Sequence, residues 1–197
     1  MSHENKHWLQ ERLNQILPKI TSDSFLKSER LGNEIPFYAF DYPPEEEGMV
    51  KEYVEFLEPQ LKKKLPDVPV LHINLLQLAL DTIDSRKGNI YEASLKMQKD
   101  KGDAFVFKAL RAMLEANKVA SVLAEKAGET NAGMVLISGV GSVYPLIRTH
   151  HLLHALHAKM GQTPLIVFYP GKYTGQGLSL FGLLPDKPYY RAFRLVD

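Results

Sequence analysis

The clearest hydrophobic pattern in the chain is a pair of apolar runs separated by a glycine turn and an amphipathic stretch. Met134-Val135-Leu136-Ile137-Ser138 leads into Gly139-Val140-Gly141-Ser142, and a helix-period segment follows to about Met160. Pro164-Leu165-Ile166-Val167-Phe168-Tyr169 then runs to Pro170-Gly171. Short continuous apolar runs bounded by turn residues read as buried strands. Strand, turn, helix, strand is a βαβ unit, which needs a parallel pair with a helix across its face.

The rest of the chain fits around that unit. Over 5–19, Leu9, Leu13, Ile16 and Leu17, with Trp8, recur at helical spacing, and Pro18 stands near the end. The stretch 22–34 reads as a loop or short helical turn. A strand over 35–40 ends at Asp41-Tyr42-Pro43-Pro44, and Glu45-Glu46-Glu47 open the next helix. Prolines and acids suit a first helical turn, and Lys62-Lys63-Lys64 suit the last. That polarity makes the lysine run a solvated helix end rather than a nucleic-acid patch. A second strand over 68–75 continues into a helix through Ile83.

The segment 84–130 shows helical period and no strand, with Gly88, Gly102 and Gly128 as punctuation. It is longer than one crossover needs and reads as a helical insertion, a candidate partner surface. At the far end, Leu178-Ser179-Leu180-Phe181 and 189–196 either pair with each other or add the last strand to the sheet edge. The expected fold is a single α/β domain over 1–197. Its mostly parallel sheet of about 5–6 strands is flanked by helices in three layers, like the sheet of phosphate-loop NTPases without the phosphate loop.

Composition narrows the function classes. A chain of 197 residues with 45% apolar and 24% charged residues is an ordinary globular domain. Its formal charge of +1 supplies no global field toward nucleic acid or membrane. The absence of cysteine removes disulfides, thiolate catalysis and cysteine-ligated zinc. The polar start and the lack of any run near the roughly 18 residues of a membrane span point to a cytoplasmic protein.

Each candidate for chemistry lacks a part. The Gly139–Ser142 turn could hold an anion on its backbone N–H groups. It has no following Lys-Ser or Lys-Thr, and Tyr144 stands where a dinucleotide fingerprint needs glycine. A structural turn is the favoured reading. Gly171-Lys172 has neither the upstream glycine nor the hydroxyl of a phosphate loop. Asp41 ends a strand as a magnesium-binding acid would, but reads better as a turn cap. His150, His154 and His157 share a helical face beside His151, with no acid on that helix and no H-E-x-x-H, so no metal is expected. Ser138 and Ser142 sit in no G-x-S-x-G, and no acid is placed to orient a histidine, so no catalytic residue is assigned. Topology gathers Asp41, Asn74, Ser138 and Tyr169 at the carboxyl ends of the strands, where ligands of open α/β sheets bind. Arg148, one turn into the following helix, could face that edge or a partner.

Five stretches resemble one family. They are Leu31-Gly32-Asn33-Glu34-Ile35-Pro36-Phe37 with Phe40-Asp41-Tyr42, then His72-Ile73-Asn74-Leu75, then Gly139 through His150, then Phe168 through Gln176, and Tyr189 through Arg194. Together they resemble the BrxB family, the small B component of bacteriophage-exclusion (BREX) defence systems, over nearly the whole chain. The resemblance implies an antiviral-defence role, supporting phage restriction and host DNA methylation within a multi-protein assembly. It implies a PglZ-type alkaline-phosphatase-like protein as first partner, with a methyltransferase and a large ATPase as further ones. DNA contact would be indirect or weak, and no cofactor is implied. The expected function is a non-catalytic adaptor subunit, not an enzyme. The expected functional surface comprises Asp41, Asn74, Gly139, Gly141, Ser142, Arg148, His150, Tyr173 and Gln176. The alternative is a nucleotide- or DNA-binding regulator using the Gly139–Ser142 turn with Lys172, Arg191 and Arg194.

Overall fold

The computed structural model describes residues 3–26, 36–84, 89–175, 177–183 and 192–197. In chain order it has α1 (His3–Ile20), α2 (Asp23–Leu26), β1 (Phe37–Tyr42), α3 (Glu47–Lys64), β2 (Val70–Asn74) and α4 (Leu75–Asp84). There follow α5 (Ile90–Lys101), α6 (Asp103–Met113), α7 (Ala116–Glu129), β3 (Met134–Ser138), α8 (Thr149–His157), β4 (Leu165–Tyr173), β5 (Leu178–Leu180) and β6 (Ala192–Arg194). Strand order is β2-β3-β4-β1-β6, with every pairing along that path parallel. The expected α/β class, with a mostly parallel six-stranded sheet flanked by helices, is what the chain adopts.

Alternation along the central strands explains the three layers. Val135, Ile137, Leu165, Val167 and Tyr169 face one core with α4, α7 and α8. Met134, Leu136, Ile166 and Phe168 face the other, with α1 and α3. Successive strand side chains point to opposite faces, so a strand buried on both sides reads as an unbroken apolar run. The helices supply stripes: Leu9, Leu13, Ile16 and Ile20 on α1, and Val50, Tyr53, Val54, Leu57 and Leu61 on α3, are buried. Each such leucine contributes roughly 1.5–3 kcal/mol by leaving water. Trp8 lies off the α1 stripe and is 47% exposed.

Several expectations are corrected. The helix after the glycine turn does not begin there: a 3-10 turn spans Gly141–Val143, and α8 starts only at Thr149. Pro145 holds Tyr144 extended (φ −73°, ψ 138°), as a residue before proline prefers. The same effect appears earlier, where a 3-10 turn at Pro44–Glu46 precedes α3. β1 runs on through Asp41 and Tyr42, and β4 passes through Pro170-Gly171 instead of stopping there. At that point β4 changes partner: Pro170 pairs with Tyr42 of β1, and Gly171–Tyr173 pair antiparallel with β5. β6 joins β1 at the sheet edge, in the second of the two arrangements expected for the last strand. Ile35 and residues 184–191 lie outside the described residues.

The segment 84–130 divides in two. α7 buries Val119, Ala120, Leu123 and Ala127 against the sheet and is an ordinary crossover helix. α5 and α6 bury no residue.

Candidate functional site

The residues expected to form one surface at the carboxyl edge separate into three groups. The first is a knot of charge around Asp41. Its Oδ1 accepts a 2.7 Å hydrogen bond from Arg12 Nη2, in an ion pair whose side chains are 4% and 10% exposed. Its Oδ2 accepts the Tyr173 backbone N–H at 2.8 Å and lies 3.7 Å from Arg194 Nη2. Arg12 also donates to the carbonyls of Asp41, Val196 and Asp197. Its guanidinium lies 4.7 Å from the rings of Trp8 and of Phe40. Tyr173 donates its hydroxyl to the Ala192 carbonyl at 3.0 Å and accepts Arg194 Nη2 on its own carbonyl at 3.0 Å. Asp41 and Tyr173 therefore bind α1, β4, β6 and the carboxyl-terminal residues together. Asp41 is buried, and both its carboxylate oxygens are bonded within the chain rather than capping a turn. Arg12 was not foreseen, because nothing local marks an arginine in an amphipathic helix as buried.

The second group is the glycine turn. Gly139 has φ +69°, and a Cβ there would stand 2.8 Å from Asn74 Oδ1. That oxygen accepts the N–H groups of Leu76 and Gln77 at 3.0 and 3.2 Å, capping α4. A Cβ on Gly141 would meet the Phe181 ring at 3.1 Å and Pro170 at 3.2 Å. Both glycines are placed where a neighbour packs on the backbone, and Ser142 is exposed beside them. Gln176 and Arg191 lie outside the described residues.

The third group lies at the start of α8. α7 delivers the chain to the beginning of β3 and α8 receives it after β3 ends. Both helices therefore present their amino ends at the carboxyl edge of the sheet. Between those ends is a cavity of about 320 Å³ lined by Arg111, Glu115, Asn117, Arg148, His151 and His154 among others. His150 lies against His151, with ring centroids 3.9 Å apart and the rings tilted by 55°, and His157 packs edge-on against Phe37 at 5.7 Å. His157 is thus set apart from the other three, and no cluster of three metal-ligating side chains forms among the described residues.

One arrangement revises the statement that no acid orients a histidine. Glu58 of α3 bonds to His72 Nδ1, and His72 Nε2 lies 2.7 Å from Ser138 Oγ. Acid, imidazole and hydroxyl stand in the order a serine nucleophile needs. Ser138 lines neither the cavity above nor a second one of about 420 Å³ beside β2. The relay joins edge strand β2 to β3 and to α3, satisfying polar groups between a helix and the sheet. A histidine interrupting an apolar strand, and a glutamate next to the α3 stripe residue Leu57, were the signals available in the sequence.

The fold defines an α/β protein whose first strand leads into Pro43-Pro44-Glu45 instead of a phosphate loop, and most of whose sheet-edge polar groups are engaged in holding the structure. The chain belongs to the BrxB family: the family profile described as "BREX protein BrxB" matches residues 71–195. It is 37% identical over 193 residues to a BREX protein BrxB of Bacillus cereus (strain H3081.97), covering 96% of this chain and 98% of that one. It is also 37% identical over 188 residues to a BREX protein BrxB of Escherichia coli O9:H4 (strain HS), covering 95% and 92%. No solved structure matches it. The chain is thus related over nearly its full length to a component of BREX systems. No helix among the described residues is long and apolar enough to cross a membrane.

Proposed function

We propose that this protein is a non-catalytic adaptor subunit of a BREX complex that supports phage restriction and host DNA methylation by binding another component of the system, with a PglZ-type protein as the direct partner. The observation that supports this reading is the surface of α4, α5 and α6. Tyr91 is 73% exposed, and Leu76, Leu80, Leu95, Phe105 and Phe107 are exposed with it. Single exposed apolar residues are ordinary, but this many on three adjoining helices suits a protein partner. Aromatic side chains of this kind supply the anchors of interfaces. On these three helices Lys96, Lys99, Lys101, Lys108 and Arg111 are balanced by Asp81, Asp84, Glu92, Asp100 and Asp103.

The test is size-exclusion chromatography of the purified chain with the purified PglZ-type protein of the same system, at micromolar concentration. The expected result is a joint peak that Tyr91→Glu or Phe105→Glu abolishes without lowering the melting temperature of the free chain. Separate elution overturns the reading, as does a complex indifferent to both substitutions or a homodimer through the same face.

A further inference from the structure

Arg111 and Arg148 are exposed cations on the cavity between α7 and α8, and neither has an ion-pair partner among the described residues. Arg111 comes from α6 and Arg148 from the residue before α8, so two arginines from separate elements line one concavity. His151 and His154, one turn apart on α8, line the same wall, and Asn117 adds an amide. Glu115 is the acid in the lining, and Lys118 Nζ stands 3.6 Å from its carboxylate.

The backbone adds donors. The first N–H groups of a helix have no acceptor within it, and the dipole makes that end positive. Neither α7 nor α8 has a side-chain cap on those groups: Glu115 and Arg148 occupy the cap positions without bonding. Two uncapped amino ends therefore adjoin the cavity that carries the two unpaired arginines. A volume of about 320 Å³ lies at the small end of ligand cavities.

We propose that this cavity binds a small phosphoryl-bearing anion. Guanidinium forks and helix-end N–H groups approaching from different elements match a tetrahedral, multiply charged oxyanion better than a planar carboxylate. The concavity suits a compact ligand rather than a duplex, whose backbone needs an extended basic track. This site is distinct from the Gly139–Ser142 turn, and its test does not depend on the docking reading, since the purified chain alone is titrated.

The experiment is a calorimetric and thermal-melt titration of the full chain with inorganic phosphate and with pyrophosphate, against acetate and chloride at equal ionic strength. Pyrophosphate should bind and raise the melting temperature beyond the chloride control. Arg148→Ala and Arg111→Ala should each weaken binding at least tenfold, Arg148→Lys less, while Lys172→Ala leaves it unchanged. The ring resonances of His151 and His154 should move on addition of pyrophosphate in the wild-type chain and stay fixed in the double alanine variant. Unliganded melting temperatures verify that the variants fold. The proposal is overturned if acetate or chloride reproduces the shift, if the double variant binds as well as wild type, or if only duplex DNA binds in an Arg148-dependent way.

Discussion

Asp41 can be assigned to the fold or to the site by one set of substitutions. Its carboxylate is the buried counter-charge of Arg12, at 2.7 Å and with both side chains at or below a tenth exposed. Asp41→Ala leaves the guanidinium with backbone carbonyls only, and the Tyr173 N–H without its acceptor. Breaking a buried ion pair from one side costs about 3–5 kcal/mol. Against the roughly 5–15 kcal/mol of a typical domain, that is a large share of total stability. Asp41→Asn keeps one acceptor oxygen, which serves Arg12 or Tyr173 but not both, turns an amide N–H toward the other donor and removes the charge, so its cost should approach that of Asp41→Ala, about 3 kcal/mol. Combining Asp41→Asn with Arg12→Met removes both charges, and the loss should fall short of the sum of the single losses by about 1–3 kcal/mol, because neither charge is left stranded. Urea unfolding followed by circular dichroism measures these three variants and Arg12→Met alone, which completes the cycle. The fluorescence of Trp8, the single tryptophan, is a second probe beside Arg12. If Asp41→Asn unfolds at the wild-type midpoint while phage restriction is lost, the structural assignment is refuted and Asp41 belongs to a functional site.

Gly171→Ala should be severe, because its Cβ would lie 2.1 Å from the backbone oxygen of Ser179, which no rotamer change relieves. A loss of about 3 kcal/mol is expected. Gly175→Ala, at φ +83° with open space around it, should cost about 1 kcal/mol; equal melting temperatures for the two would contradict the clash. In the relay, His72→Gln should destabilise by about 1–2 kcal/mol, whereas Ser138→Ala should leave restriction intact. Covalent labelling of Ser138 by a fluorophosphonate would contradict the non-catalytic reading. Burial raises the phenols of Tyr38, Tyr42 and Tyr53, with the Tyr42 bond to Glu47 adding to its shift. Tyr53 is pushed up to about 12, partly opposed by the Leu17 backbone, with which it makes no regular hydrogen bond. The fold thus favours the neutral forms: their contribution is complete below about pH 10 and is lost as the pH rises toward 12. Urea midpoints should hold from pH 8 to 10 and fall beyond; a constant midpoint at pH 11.5 would count against it.

The parts of the fold legible in the sequence are those whose burial leaves a regular apolar pattern along a single element. β3 and β4 declare themselves because burial on both faces makes every position apolar, and α1 and α3 because one stripe is buried at helical period. The misplaced start of α8 has a local cause that was visible, since Pro145 already bars a helix through Tyr144. β4 continues through Pro170 for a reason no local pattern holds: β5 supplies a partner after β1 ends. The same distinction governs the sites. Arg12 and Asp41 are 29 residues apart, and His72 and Ser138 are 66 apart, so neither bond is implied by spacing.

Placing these bonds also shifts where function can reside. Asp41, Asn74, Gly139, Gly141 and Tyr173 occupy the edge where an α/β sheet ordinarily binds ligands, yet each is engaged by a neighbouring element of the chain itself. Arg148 at that edge is exposed, and the fold sets it beside Arg111, at the end of the α5–α6 pair whose apolar side chains face solvent. Arg111 therefore connects the surface proposed to dock a partner with the cavity proposed to hold an anion. If both assignments hold, pyrophosphate should alter the affinity of the chain for its partner, and by linkage the partner should alter the affinity for pyrophosphate by the same factor. Equal partner affinity with and without saturating pyrophosphate would show the two surfaces to be energetically independent despite the shared residue.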